Sequence, residues 1–137
     1  WKKNQSIKPL EVGNIQSIRD WTDARDMVEA IYLMMQHSQA DDFVVGSSIG
    51  RSVKELIEIA FDYVGISLEW NENNEAIDKK SNKLVVKVNK SYFRPLEVNK
   101  LISDPSKARQ ILKWEPKISF TDMIYEMIDN DYQSFIK

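Results

Sequence analysis

At 137 residues, with 42% hydrophobic and 29% charged side chains, the chain has the proportions of one globular domain able to bury a core. A net charge of -2 offers no basic surface to nucleic acid or an acidic membrane, and no apolar run approaches the ~20 residues of a membrane span. One histidine and no cysteine exclude disulfides, argue against a transition-metal site, and fit a reducing, cytoplasmic setting.

The opening WKKNQSIKPLEVGN has no starting methionine and enters in mid-pattern, as a piece of a longer chain would. LEVGN (10–14) sets Leu10 and Val12 around a glutamate and halts at Gly-Asn, the pattern of a short strand. From Thr22 the spacing becomes helical. Ala24, Met27, Val28, Ile31, Met34 and Met35 fall on one stripe, and Asp23 and Asp26 suit the positive N-terminal end. His37 falls at the end of that helix, where the dipole favours it.

DFVVGSS (42–48) reads as a strand buried on both faces, although the chain hardly supplies neighbours for it. Ser52 and Glu55 form an S-x-x-E capping box ahead of Val53, Leu56, Ile57, Ala60, Phe61 and Val64, and Gly65 ends that helix. ISLEW (66–70) alternates again, NENNEAIDKKSNK (71–83) reads as a surface loop, and KLVVKV (83–88) as a strand. Asp104 caps a helix with Pro105 at its first position, ending near Trp114. Ser119 caps the last helix, whose expected buried side is Phe120, Ile124, Met127, Ile128, Phe135 and Ile136. Helices alternating with a few short strands over 1–137 make a single α/β domain.

Catalytic signatures are missing. The glycines at 13, 46, 50 and 65 spell no G-x-G-x-x-G, and Gly46-Ser-Ser-Ile-Gly50 lacks the lysine of a P-loop. No tyrosine is followed four residues later by lysine: Tyr32, Tyr63, Tyr92, Tyr125 and Tyr132 lead to Gln36, Ser67, Leu96, Asp129 and Ile136. The carboxylates of DARD and DDF suit helix ends and turns better than an acid/base pair, and the Met34-Met35 pair suits a helix core. No catalytic residue is assigned within this chain.

Two segments do stand out: VGNIQSIRDWTDARDMVEAIYLMM (12–35) and YFRPLEVNKLISDPSKARQILKWEPKISF (92–120). Together they resemble the C-terminal part of the GDP-mannose 4,6-dehydratases, which are extended short-chain dehydrogenase/reductases. That family reads R-D-W-G-H-A-R-D-Y-V-E-A, then R-P-x-E-V, D-P-S-K-A and L-G-W-x-P. The resemblance runs from about Leu10 to about Met127, and R-P-x-E-V joined to D-P-S-K-A is its specific part. It implies the C-terminal, substrate-binding portion of a Rossmann-type enzyme without the Gly-rich nucleotide-binding half, with 43–46 the last strand of that half's sheet.

The resemblance also implies roles. Arg19 and Arg94 match the arginines that hold the substrate's diphosphate, a task for which guanidinium offers planar, bidentate donors of permanent charge. Glu97 matches a carboxylate that accepts from the ribose hydroxyls, and Asn14 and Val12 match positions bordering the guanine. The plainer alternatives are ion pairs of Arg19 with Asp20, Asp23 or Asp26, and of Glu97 with Lys100.

The chain departs from the family at Ile18 (lysine there), at Thr22-Asp23 (Gly-His), at Asn99 (aspartate) and at Ile49-Gly50-Arg51 (Glu-Thr-His). The implied activity is loss of water across C5 and C6 of GDP-mannose, giving GDP-4-dehydro-6-deoxy-mannose, with bound NADP carrying a hydride from C4 to C6. The Gly-rich loop, the Tyr-x-x-x-Lys dyad and the acid/base residues would precede residue 1, so this chain alone is expected to be inactive. Family members are commonly dimers or tetramers. Two other readings stay open: a related enzyme acting on another NDP-sugar such as GDP-heptose, and a non-catalytic stand-alone binding or assembly module.

Overall fold

The structure is a computed structural model that describes residues 8–136, with side chains described for 8–134. The start of the opening stretch, and the side chains of Phe135 and Ile136, lie outside the described residues.

Among the described residues, seven short strands form two sheets. In the first, β1 (Leu10–Val12), β6 (Lys83–Val88), β5 (Ala76–Asp78) and β4 (Leu68–Trp70) lie in that order, with β1 parallel to β6 and the rest antiparallel. In the second, β2 (Ile18–Asp20) runs between β3 (Gly50–Ser52), antiparallel, and β7 (Lys100–Leu101), parallel. Four helices accompany them: α1 (Ala24–Gln36), α2 (Val53–Tyr63), α3 (Ser106–Leu112) and α4 (Phe120–Ile136). The α/β class is as the sequence predicts.

Helix α2 forms as its capping chemistry dictates. Ser52 Oγ accepts from Glu55 N at 3.1 Å, and the Glu55 carboxylate accepts from Ser52 N at 2.7 Å. At the other end Gly65 takes φ 73°, and the amides of Gly65 and Ile66 donate back to Asp62 O and Phe61 O, which closes the helix in a Schellman turn. Ile57 and Phe61 of this helix meet Ile15, Ile66, Ala76, Val85 and Val86, the first apolar core. Helix α4 lies against α2, where the rings of Tyr63 and Tyr125 stand 4.8 Å apart and Ile124 is buried.

The second core is smaller. Ala30 of α1, Ala108 and Leu112 of α3, and Trp114 bury against one another, with Leu33, Met34, Phe43 and Val45 packed on them.

Several expectations need correction. The stretch 42–48 pairs with no strand among the described residues: Phe43 and Val45 turn inward and Val44 outward, but no ladder lies beside them. The buried side of α1 runs through Asp26, Ala30, Leu33 and Met34, whereas Val28, Ile31 and Met35 of the predicted stripe are exposed. The second core meets α1 with Ala108, Leu112 and Trp114 rather than with a broad sheet, so it covers only a narrow strip of the helix. Met127 of α4 is exposed too. The polar segment 71–83 contains β5, because Asn74 and Asn82, both in the left-handed region, make tight turns on either side of three strand residues.

Candidate functional site

The second sheet brings the two arginine segments together. The loop before it is fixed to α2, since Val53 N and Lys54 N donate to Ser17 O and Ile15 O at 3.1 and 2.9 Å. On the other side β7 pairs Lys100 and Leu101 with Ile18 and Arg19, and Ile18 N donates to Asn99 O at 2.8 Å. Residues 80 positions apart in sequence therefore become neighbours.

Arg19 and Glu97 meet there. Arg19 Nη2 lies 3.4 Å from Glu97 Oε1, and Ser17 Oγ donates to the same oxygen at 2.9 Å. Arg19 Nη1 donates to Ile18 O at 2.8 Å. Both charged side chains are half-buried, at 29% and 22% exposure, which limits screening without removing it. The ion pair is with Glu97 and not with Asp20, Asp23 or Asp26, and Glu97 turns to Arg19 and not to Lys100.

Arg94 enters through a turn. Glu97 N donates to Arg94 O at 3.2 Å across Pro95 and Leu96, so the two share a four-residue reversal. The Arg94 side chain is exposed and makes no ion pair among the described residues, and Leu96 beside it is 95% exposed. Asn14 lies on the near side: its Oδ1 accepts from Gln16 N, and its carbonyl accepts from Ser17 N. Val12 pairs with Val88, and its side chain packs against the first core.

An open cleft of about 590 Å³ adjoins Arg19, bounded also by Asp20, Val44, Gly46, Leu101 and Ser103. Arg94 and Glu97 stand outside its lining.

Two carboxylates that sequence reasoning placed elsewhere hold this framework. Asp20 accepts from Ser47 N and Oγ at 2.9 and 2.5 Å, from Ser48 N at 3.0 Å, from Ser103 N at 3.2 Å, and from Ser103 Oγ. Burial pushes its carboxyl up, but the hydrogen bonds from Ser103 and Ser47 outweigh that and hold it below the usual 3.8. Gly46 is required beside it, since a Cβ there would sit 2.2 Å from Ser103 Oγ and 2.9 Å from Asp20 Oδ2. Asp26, at 3% exposure, accepts from Lys117 N and Ile118 N at 3.1 and 3.0 Å, while its carbonyl accepts from Trp114 Nε1 at 3.0 Å. The sequence signal for the Asp20 hub was the set of small residues at 46–48 and 103. It becomes interpretable only once the second sheet, which carries Asp20, is known.

Comparison with known proteins decides the family. A family model described as GDP-mannose 4,6 dehydratase matches residues 2–127. The chain belongs to the GDP-mannose 4,6-dehydratase family. Among relatives, the GDP-mannose 4,6 dehydratase of Dictyostelium discoideum is 39% identical over 127 residues, covering 90% of this chain and 36% of the relative. That of Homo sapiens is 38% identical over 130 residues, covering 93% and 35%. The chain thus spans little more than a third of these dehydratases.

Solved structures agree on the fold. RMD from Pseudomonas aeruginosa, complexed with NADPH, superposes with a TM-score of 0.69 at 20% identity, over 93% of this chain and 36% of that one. UDP-glucose 4-epimerase from Thermotoga maritima, with UDP-glucose, gives a TM-score of 0.73 at 20% identity over the same shares, 93% and 36%. The chain thus has the fold of the matching third of these two solved structures. None of its described helices is long and apolar enough to cross a membrane.

Proposed function

We propose that this chain is the sugar-nucleotide-binding portion of an enzyme that converts GDP-mannose to GDP-4-dehydro-6-deoxy-mannose. The observation that carries the reading is the convergence of Arg19 and Glu97 at 3.4 Å, with Arg94 one turn away and its guanidinium unengaged. In the resting arrangement Glu97 neutralises Arg19. An arriving diphosphate competes for the Arg19 donors and recruits Arg94, which leaves Glu97, steadied by Ser17, to accept from ribose hydroxyls. Asn14, three residues before Ser17, borders the base, and Val12 contributes through its backbone rather than its core-facing side chain.

NADP would supply temporary storage of the hydride. The glycines of this chain do not fit a dinucleotide cradle: Gly13 faces Tyr92, Gly46 faces Ser103, Gly50 faces Ile18 and Ile102, and Gly65 ends α2. The cofactor therefore belongs to parts of the parent enzyme beyond these residues, and the isolated chain binds without turning over. The unpaired stretch 43–46 fits the same picture. Its in-out alternation of Phe43, Val44 and Val45 is that of a final strand waiting for the parent's Rossmann sheet. A cytoplasmic enzyme assembled as a dimer or tetramer is the setting we infer.

The test is a titration of GDP-mannose into the chain, followed by amide resonances of residues 14–20 and 92–98. Arg94→Ala should weaken binding about 10- to 100-fold, since each hydrogen bond to a charged group contributes ~1.5–3 kcal/mol. Equal responses of wild type and variant would remove Arg94 from the site. UDP-glucose binding as well as GDP-mannose would shift the reading to another sugar nucleotide.

A further inference from the structure

A second cleft, of about 390 Å³, opens between β3, the end of α3 and the start of α4, and none of Arg19, Arg94 or Glu97 lines it. Its walls include Trp21, Thr22, Arg51, Arg109, Glu115 and Phe120. Among the described residues, three buried side-chain polar atoms have no hydrogen-bond partner: Thr22 Oγ1, Arg51 Nε and Arg109 Nε. All three residues line this one cleft. Buried donors in native proteins are nearly always paired with protein, water or ligand, so their convergence in one cleft offers a ligand three donors that the protein itself leaves free.

The chemistry selects the ligand. Arg51 directs Nη1 to Glu55 Oε1 at 3.2 Å, and Arg109 directs Nη2 to Ser47 O at 3.2 Å. Glu115 lies 3.7 Å from Arg109 Nε, too long for a hydrogen bond. Each planar guanidinium carries five donors, so most remain unused on both residues. Lys117 adds a third cation at the rim, held by Glu29. The rings of Trp21 and Phe120 stand 6.3 Å apart and make one wall, with the Arg51 guanidinium 5.9 Å from the Phe120 centroid. Trp21 uses its indole N–H on Arg51 O, which fixes the ring against β3.

We infer that this cleft binds the phosphate group of a small molecule, with Arg51 and Arg109 as a guanidinium pair and Thr22 completing the donor set. Two of the three residues are departures from the family pattern: Thr22 stands in place of glycine and Arg51 in place of histidine. Arg51 and Arg19 are directly opposite on β3 and β2, and each is neutralised by its own glutamate, which keeps the like charges compatible.

The experiment titrates inorganic pyrophosphate into the 137-residue chain at constant ionic strength, following the Trp21 indole N–H and the Thr22 amide. Saturating shifts with a Kd of about 1 mM or tighter are expected. Arg51→His and Arg109→Gln should each weaken binding ~10-fold, the loss of one charged hydrogen-bonding partner. Thr22→Val, which keeps the side-chain shape, covers the case in which an arginine variant fails to fold and should weaken binding ~3-fold. Arg94→Ala should leave these shifts intact, so failure here and failure of the GDP-mannose reading are told apart. The inference is overturned if chloride at equal ionic strength reproduces the shifts, if nothing saturates by ~10 mM, or if Arg94→Ala abolishes the shifts while Arg51→His does not. Tighter binding of GMP than of pyrophosphate, with added shifts in the Phe120 ring, would assign the phosphate to a nucleotide. Equal affinity would assign it to a free inorganic anion. Either result supports the site.

Discussion

The core beneath the four-stranded sheet is sealed by aliphatic and aromatic side chains from β5, β6 and α2, and its helix is capped at both ends by residues suited to the task. The core around Trp114 has no strand of its own. Two alanines let α1 and α3 approach, one tryptophan fills the gap, and the carboxylates of Asp26 and Asp20 tie the surrounding loops by backbone amides. The first core stands on area removed from water; the second depends on a few specific contacts. Its outer faces remain apolar and open at Val28, Ile31, Met35 and Val44. A region stabilised in this way should be the first to open.

Trp114→Ala is the sharpest way to expose that difference. The ring is 1% exposed and its Nε1 donates to Asp26 O, so truncation should cost about 3–5 kcal/mol. Hydrogen exchange should then show amides of α1 and α3 losing protection well before those of α2 and β6. Equal loss across both regions would mean that the two cores form one cooperative unit.

A smaller effect is expected at Asp20, and it depends on pH. Its folded carboxyl lies below the ordinary 3.8, so the charged form is the one the fold prefers. The contribution is complete above about pH 4, the unfolded value of an aspartate, and is lost as pH falls through the folded value. Asp20→Ala should cost about 2 kcal/mol at neutral pH by leaving the amides of Ser47, Ser48 and Ser103 without their acceptor. The gap between variant and wild type should close in acid. A gap that stays constant down to pH 2 would show that the serines find other partners.

What could be read from the sequence follows the same division. The capping box at Ser52 and Glu55, the Gly65 stop, β1, β4 and β6 all arise from local chemistry, and each formed where its residues indicate. Family motifs also led to Arg19 and Glu97, which the structure brings together. The rest depended on partners distant in sequence. β2, β3 and β7 are two or three residues long and exist only because they pair with one another. Asp26 resembled a helix N-terminal charge until Lys117 and Ile118 arrived from 91 and 92 positions away. The stripe on α1 failed because periodicity identifies an apolar face but not whether this chain covers it.

The finest distinction between the two regions is how their helices stop. Helix α2 ends on Gly65 at φ 73°, and α3 ends on Lys113 at φ 55° and ψ 30°, both left-handed. A side chain with a Cβ pays a steric penalty of ~1 kcal/mol in that conformation, and glycine does not. The family pattern L-G-W places glycine at this position, so the present chain carries strain that its relatives' pattern avoids. Lys113 makes no ion pair among the described residues, so replacing it sacrifices little. Lys113→Gly should therefore stabilise the chain by about 0.5–1 kcal/mol, reduced somewhat by the greater freedom of glycine in the unfolded chain. Gly65→Lys, the converse change, should destabilise by a similar amount. Urea midpoints that move in opposite directions for the two variants would show that the left-handed stop sets the difference. A destabilising Lys113→Gly would mean that the lysine stem itself supports the Trp114 core.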